Sequence, residues 1–427
     1  MLPRLYQLLW RLARPLLRRH RRLGEGFAER LAPPPWPRIH TGHASATPCR
    51  LWLHGASGGE AYLIRELALE LAARQSSRPK FTLLCTSLTN QGLEILRQAQ
   101  KDCPADSLEL LPAYLPLDEP QIMRRAVRQV FGPQRPASPA VLALLETELW
   151  PGLLLACREY DLPTLILNGR LTEKSLRAYY PFRSFLRHLP PRRILASSPA
   201  DQERFRSLFG SAAPCDLMPN IKFDRIRFED APPPVVPGSL IALASVREEE
   251  EALLVSCLPE LLAQAPECAI ALAPRHLHRL EAWEKRLQAL NLPYIRAGSL
   301  QNLAPPPGQI LLWDSFGNLH QVYRQASAVF VGGSLAPLGG QNFLEPLACG
   351  LIPCIGPSWQ NFAWVGKEIF DLGLVRRINS IEELVPALLR LLHGGENKTL
   401  VRQKLEDYLA PRRGGTRMAV EALAEFL

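Results

Sequence analysis

Short apolar runs alternate with longer segments of helical period along most of this chain. That alternation constrains the fold more than any other feature. Strands are predicted at Leu51–His54, Phe81–Thr86, Ala140–Leu145, Thr164–Leu167 and Arg193–Ser197. The helices between and after them are Glu60–Ala73, Asn90–Gln100, Pro120–Val130, Pro151–Tyr160, Ser175–Arg187 and Pro199–Phe209. The pattern breaks at Ala231–Gly238, APPPVVPG, whose prolines and glycine suit a linker between domains. A second series follows, with strands at Leu240–Ala244, Ala269–Ala273, Ile310–Trp313, Ala328–Val331 and Ile352–Ile355. Its helices are Glu248–Ala263, Leu277–Ala289, Leu319–Gln325 and Phe343–Cys349, and Thr416–Leu427 forms a last one. Strand–helix alternation of this kind makes parallel, doubly wound sheets, and 427 residues exceed what one core usually holds. Two α/β domains facing one another across a cleft are therefore expected, over 33–230 and 239–427, joined by 231–238.

Charge is concentrated at the start. Residues 1–30 carry eight arginines (4, 11, 14, 18, 19, 21, 22 and 30) against Glu25 and Glu29, so six of the nine net positive charges lie there. The remainder is close to balanced, which disfavours a nucleic-acid partner. Over Met1–Arg22 the leucines 5, 8, 9, 12 and 16 share one helical face, with arginines 4, 11, 14, 18 and 22 opposite and Tyr6 and Trp10 at the flank. No uncharged run approaches the ~20 residues needed to span a bilayer, and the arginines interrupt anything resembling a cleavable signal. Residues 1–32 are expected to lie in the plane of an anionic membrane surface. The nine cysteines form no CxxC pair, which fits a reducing compartment.

Several strand ends carry chemistry. In LWLHGASGGE (51–60) a strand runs into a small-residue turn containing Ser57 and Gly58, and Glu60 opens the next helix. An acid there either complements the helix dipole or serves a ligand at the carboxyl edge of the sheet. Glu146 and Glu148 leave the buried run VLALL and wall the same edge. Arg170 follows the next strand, and Lys174, Arg177 and Tyr179–Tyr180 continue a basic, aromatic surface suited to an anionic acceptor. In the second half, Pro274 and Arg275 end a strand, with the guanidinium placed for a phosphate or carboxylate. Gly332, Gly333 and Ser334 end another, and their amides are expected to cradle phosphate. Asn342 and Glu345, entering a helix just downstream, suit ribose hydroxyls. GxxxxGK[ST] and a strand-following GxGxxG are both missing, and no His/Cys/Asp/Glu cluster has metal-ligand spacing. Neither a metal nor a cofactor is expected.

Assembled in order, these motifs resemble the 3-deoxy-D-manno-octulosonic acid (Kdo) transferases of lipopolysaccharide assembly. The resemblance is carried by LWLHGASGGE (51–60), ETELWP (146–151), LNGRLTEKS (167–175), NIKFD (220–224), APRH (273–276), FVGGSLAPLGGQNFLEP (330–346) and IGPSWQNF (355–362). It implies a GT-B fold of two Rossmann-like domains. The N-terminal domain would take the acceptor, a lipid A precursor, and the C-terminal domain the donor, CMP-Kdo, at the cytoplasmic face of the inner membrane. The chain departs from the family in three places. Ser245-Val246-Arg247 stands where the family has Ser-Thr-His, Gln341-Asn342-Phe343-Leu344-Glu345-Pro346 where it has His-Asn-Pro-Leu-Glu-Pro, and Gly59 where it has valine. Arg247 thus replaces a titratable group with a permanent cation beside the expected phosphate.

The expected reaction is an inverting, metal-independent displacement with Glu60 as general base. Arg275, Ser245 and the amides of 332–334 would hold the leaving phosphate. Asn342 and Glu345 would bind sugar or ribose hydroxyls, and Arg170 and Lys222 the Kdo carboxylate or acceptor phosphates. Two competitors share the fold: a sugar-nucleotide epimerase that binds UDP and tolerates loss of residues 1–30, and a silent membrane scaffold that binds no nucleotide.

Overall fold

The computed structural model describes residues 2–20, 23–32, 49–74, 81–104, 108–132, 139–228, 239–299, 305–315, 318–395 and 397–427. The proposed linker 231–238 and the segment 33–48 lie outside these residues. The chain divides into two compact units, Met1–Arg225 with Arg412–Leu427, and Ile226–Pro411.

The first unit is built on β1 (Cys49–His54), β2 (Phe81–Ser87), β3 (Leu108–Tyr114), β4 (Val141–Leu145), β5 (Thr164–Gly169), β6 (Arg193–Ala196) and β7 (Cys215–Leu217). They form one sheet in the order β3-β2-β1-β4-β5-β6-β7, every pair parallel. All five residues of β4 are buried, because helices cover both faces of the sheet, and VLALL is accordingly apolar without alternation. The strand order reverses between β1 and β4. At such a switch point the loops leave in opposite directions and open a crevice at the carboxyl edge.

β3 is an element that periodicity did not signal: Glu109 and Pro112 interrupt its apolar run. The single helix expected over Ser175–Arg187 is instead Glu173–Tyr179, a 3-10 turn Tyr180–Phe182 and a short helix Arg183–Leu186, with Pro181 at the break. The last helix, Gly415–Ala424, packs in the first unit, burying Ala419, Val420 and Leu423 among the residues of β1, β4 and β5. The Asp224 carboxylate accepts from Gly414 N at 2.7 Å and Thr416 N at 2.6 Å, satisfying amides that a helix start leaves open.

The N-terminal helix spans Leu2–Leu17, and its orientation reverses part of the sequence reading. Tyr6, expected at a membrane interface, donates its hydroxyl to the buried Asp118 at 2.7 Å. Arg11 and Arg14, expected toward lipid headgroups, pair with Glu119, and Arg11 also donates to Gln121 at 2.9 Å. The polar side thus docks on the body, while Leu8, Leu9, Leu12 and Leu16 are 52–77% exposed. No described helix is long and apolar enough to cross a membrane.

The second unit repeats the architecture with β8 (Ser239–Val246), β9 (Cys268–Pro274), β10 (Tyr294–Arg296), β11 (Ile310–Leu312), β12 (Ala326–Val331), β13 (Pro353–Ile355) and β14 (Arg376–Arg377). The order is β10-β11-β9-β8-β12-β13-β14, again with every pair parallel. Its switch point falls between β8 and β12.

Candidate active site

At the first switch point, β1 ends in His54 and the chain turns through Gly55–Ser57 into the helix Gly58–Arg74. Gly55 is required here, since a Cβ would lie 2.6 Å from that of Glu60. Gly59, the departure from the family pattern, faces open space apart from Ser57 Oγ at 3.7 Å. It therefore does little to place the acid.

Glu60 sits in the first turn of the helix in a capping box. Ser57 Oγ accepts from Glu60 N at 3.4 Å, and Glu60 Oε2 accepts from Ser57 N at 3.1 Å and from Ala56 N. The helix-end reading is thus realised through one oxygen of the side chain. Oε2 is pinned by amides, and Oε1 makes no hydrogen bond among the described residues. Burial, then the charges of Glu148 and Glu146, push this carboxyl up to about 7, against the lowering effect of the two amides. An acid of that proton affinity is matched to proton transfer near neutrality.

Its two neighbours are treated differently. Glu146, in the left-handed region at φ 58°, is paired with Lys222 at 2.5 Å. Lys222, expected to meet an acceptor anion, is therefore already engaged by a carboxylate. The short helix Ile221–Asp224 that presents it is capped by Asn220 and tied to β5, where Asn168 Oδ1 accepts from Ile221 N at 3.0 Å. Glu148 accepts from Trp150 Nε1 at 2.8 Å and lies 3.7 Å from Nε2 of the fully buried His54. Tyr179 donates to Thr147 O at 3.4 Å, and its hydroxyl is pushed up to about 12 by burial and then by Glu148. Arg170 accepts Thr147 Oγ1 through its carbonyl, and its half-buried guanidinium makes no hydrogen bond among the described residues. His54 went unassigned in the sequence reading, and Tyr179 was read only as part of an exposed basic, aromatic surface. The position of His54 at a strand end, two residues after a tryptophan, was the available signal.

At the second switch point one expectation is overturned. The amides at 333 and 334 do not await a phosphate. The fully buried Glu250 accepts from Gly333 N at 2.5 Å, Ser334 N at 2.8 Å, Leu335 N at 2.7 Å and Arg247 N at 3.2 Å. Gly332 N is spent on Ala244 O, and the Ser334 hydroxyl donates to Val331 O and accepts from Gly356 N. The glycine loop is thus closed on an internal anion, and a second anion has no amide there to bind.

Cations remain at that edge. Ser245, at φ 54°, and Arg247 leave β8, and Pro274 and Arg275 leave β9, tied together by Arg275 N donating to Val246 O at 2.8 Å. The Arg275 guanidinium makes no hydrogen bond among the described residues. His276 is stacked on His278 at 5.5 Å, and burial, then Arg247 and Arg275, hold it below the usual histidine range. Asn342 donates to Glu345 at 2.8 Å and caps Leu344 N at 3.2 Å, so these two polar groups share one site. Among the described residues no group of three or more acidic, histidine or cysteine side chains could hold a metal.

Comparison with known proteins finds the same resemblance. Residues 25–225 match the family model described as 3-deoxy-D-manno-octulosonic-acid transferase (kdotransferase). A 3-deoxy-D-manno-octulosonic acid transferase of Bordetella pertussis is 28% identical, aligned over 96% of this chain and 95% of its own length. One from Haemophilus influenzae is 27% identical, over 90% and 89%. Over most of its length the chain is similar to Kdo transferases, and it is a glycosyltransferase. Solved structures show the GT-B fold. The glycotransferase of kitacinnamycin superposes with a TM-score of 0.51 at 17% identity, covering 89% of this chain and 99% of that one. Anabaena HepE in complex with UDP gives 0.55 at 13%, covering 88% and 100%.

Proposed function

We propose that this chain is a Kdo transferase that moves Kdo from CMP-Kdo to a lipid A precursor by inverting displacement, in the synthesis of the lipopolysaccharide inner core. The acceptor is taken by the first unit and the donor by the second. An acceptor hydroxyl donates its proton to Glu60 Oε1 as its oxygen bonds to the anomeric carbon of Kdo. The bond from that carbon to the CMP phosphate breaks, and the electron pair leaves on CMP. The donor phosphodiester carries one charge and gains a second as the bond breaks, which Arg275 and Arg247 meet with side-chain cations in place of a metal. Ser245, Asn342 and Glu345 are assigned to hydroxyls of the donor, and Arg170 to the Kdo carboxylate or an acceptor phosphate. Glu146 and Glu148 hold the acceptor edge anionic and Glu60 basic.

The observation that carries this reading is the state of Glu60, with one oxygen fixed by two amides, the other uncommitted, and a carboxyl pushed up to about 7. Work at a bilayer follows from the N-terminal helix, which docks by its arginines and Tyr6 and leaves four leucines outward to enter the headgroup region. In this reading the enzyme works on the cytoplasmic face of the inner membrane, where a lipid acceptor and a soluble nucleotide meet. The test is to incubate the full chain with CMP-Kdo and a lipid A precursor in anionic vesicles and weigh the product. The expected result is addition of Kdo with stoichiometric release of CMP. Binding of UDP in preference to CMP, with no gain in acceptor mass, refutes the assignment.

A further inference from the structure

Behind the carboxylates lies a buried polar chain that the proposed reaction does not use. Trp52 Nε1 donates to Thr86 Oγ1 at 2.8 Å, and Thr86 Oγ1 lies 3.0 Å from His54 Nδ1. On its other side, His54 Nε2 is buried, has no hydrogen-bond partner among the described residues, and is 3.7 Å from Glu148 Oε2. The distance is beyond a hydrogen bond and within ion-pair range. Thr86 and His54 are both 0% exposed.

The proton positions follow from counting donors and acceptors. The Thr86 hydroxyl already accepts from Trp52 and has one proton to place, and His54 Nδ1 is the acceptor within reach. Thr86 O, 3.1 Å from Nδ1, accepts from Gly55 N at 3.1 Å and has a second lone pair, so it could take a proton from Nδ1 only at the cost of the two faults that follow. Were Nδ1 protonated instead in a neutral ring, the hydroxyl proton would be stranded and the Nε2 lone pair would face the Glu148 carboxylate. Both faults vanish with the proton on Nε2. Burial makes each of them costly.

Resting on the reading of Glu60 as base, we propose that His54 is a positioning residue for the reaction. Held as the Nε2–H tautomer by Trp52 and Thr86, it turns that proton on Glu148 and fixes that carboxylate beside Glu60. Glu148 meets His54 and Trp150 directly, and its charge acts on Tyr179 and Glu60 near it. Glu146, the other acid near Glu60, is matched by Lys222. A fixed negative charge at 148 raises the affinity of Glu60 for the acceptor proton. Removing the proton that faces Glu148 frees that side chain to turn away from Glu60, relaxes the repulsion, and lets Glu60 ionise at lower pH.

Two measurements test this. In the full chain labelled with 15N-histidine, the His54 resonances at pH 8 should report a protonated Nε2 and a bare Nδ1. An Nδ1–H tautomer overturns the proposal. In turnover, His54→Asn, which keeps a polar group only near Nδ1, should lower kcat roughly tenfold and move the acid limb of the pH profile toward lower pH by about half a unit or more. His54→Gln, which returns an N–H near Nε2, should restore both, with donor KM unchanged throughout. Variants that all keep the wild-type limb overturn the proposal. If a variant fails to fold, the tautomer measured in the unaltered chain still decides. A Glu60→Gln variant with full turnover would refute the base and leave the tautomer result standing. A wrong tautomer in a chain that still needs Glu60 refutes only the role of His54.

Discussion

At the switch point of each sheet an acid is held against backbone amides, and the two acids are in opposite circumstances. Glu250 in the second unit receives four backbone N–H groups across both oxygens, a fully satisfied anion that closes the glycine loop. Glu60 in the first unit receives two amides on one oxygen and faces two further carboxylates. The same residue type at equivalent points of two similar sheets becomes structural in one and reactive in the other. What separates them is how many donors each carboxylate meets and what sign of charge surrounds it. In a buried setting these two quantities decide whether a proton is held off or welcomed.

The comparison breaks first at Glu250. Glu250→Gln strands at least two buried amides and should cost on the order of 3 kcal/mol or more of stability, read as a lowered Tm. A variant as stable as wild type would dissolve the contrast. Glu60 should respond with the opposite sign. Its carboxyl rises from 4.5 to about 7 on folding, so the fold holds its proton more tightly than the unfolded chain. Stability is accordingly lost as pH rises from 4.5 toward 7. Glu60→Gln should therefore gain on wild type across that window, by about 2 kcal/mol at pH 8, with little difference at pH 4. Melting curves at the two pH values measure it. Arg275→Ala sharpens the second site. Loss of a side-chain cation should raise KM for the donor roughly tenfold and leave KM for the acceptor unmoved. The smallest effect belongs to the N-terminal helix. Leu8→Ser with Leu12→Ser should weaken binding to anionic vesicles roughly fivefold, with turnover of a detergent-dispersed acceptor kept.

Much of this was legible in the sequence, unevenly. VLALL and the other central strands announce themselves because both faces of a parallel sheet are covered. The edges do not: β14 is only Arg376–Arg377 and β3 carries Glu109 and Pro112, so neither has an apolar run to read. Glu60 was readable as a helix-start acid at a strand end, since its capping box is local in sequence. Glu250 was not. It sits in the run Glu248–Glu251, which looks like an acidic first turn, and only the approach of residues 333–335 from a distant strand makes it the partner of the glycine loop. The same holds for Lys222 with Glu146 and for His54 with Glu148, pairs made by topology across 76 and 94 residues of chain. The N-terminal helix shows a further limit. Its two faces were correct as a pattern, but docking by Tyr6 and the arginines depends on Asp118 and Glu119 respectively, more than a hundred residues away.

The central claim is that Glu60 accepts the proton in the transfer step. It is tested most directly by the single-turnover rate of Kdo transfer from pH 5 to 9, measured for the wild-type chain and for Glu60→Gln with the same acceptor. The account predicts a wild-type rate that climbs roughly tenfold per pH unit until about 7 and then levels. It predicts for the Gln variant a rate lower by about two orders of magnitude or more and flat across the range. A Gln variant that keeps the wild-type rate and profile would contradict it.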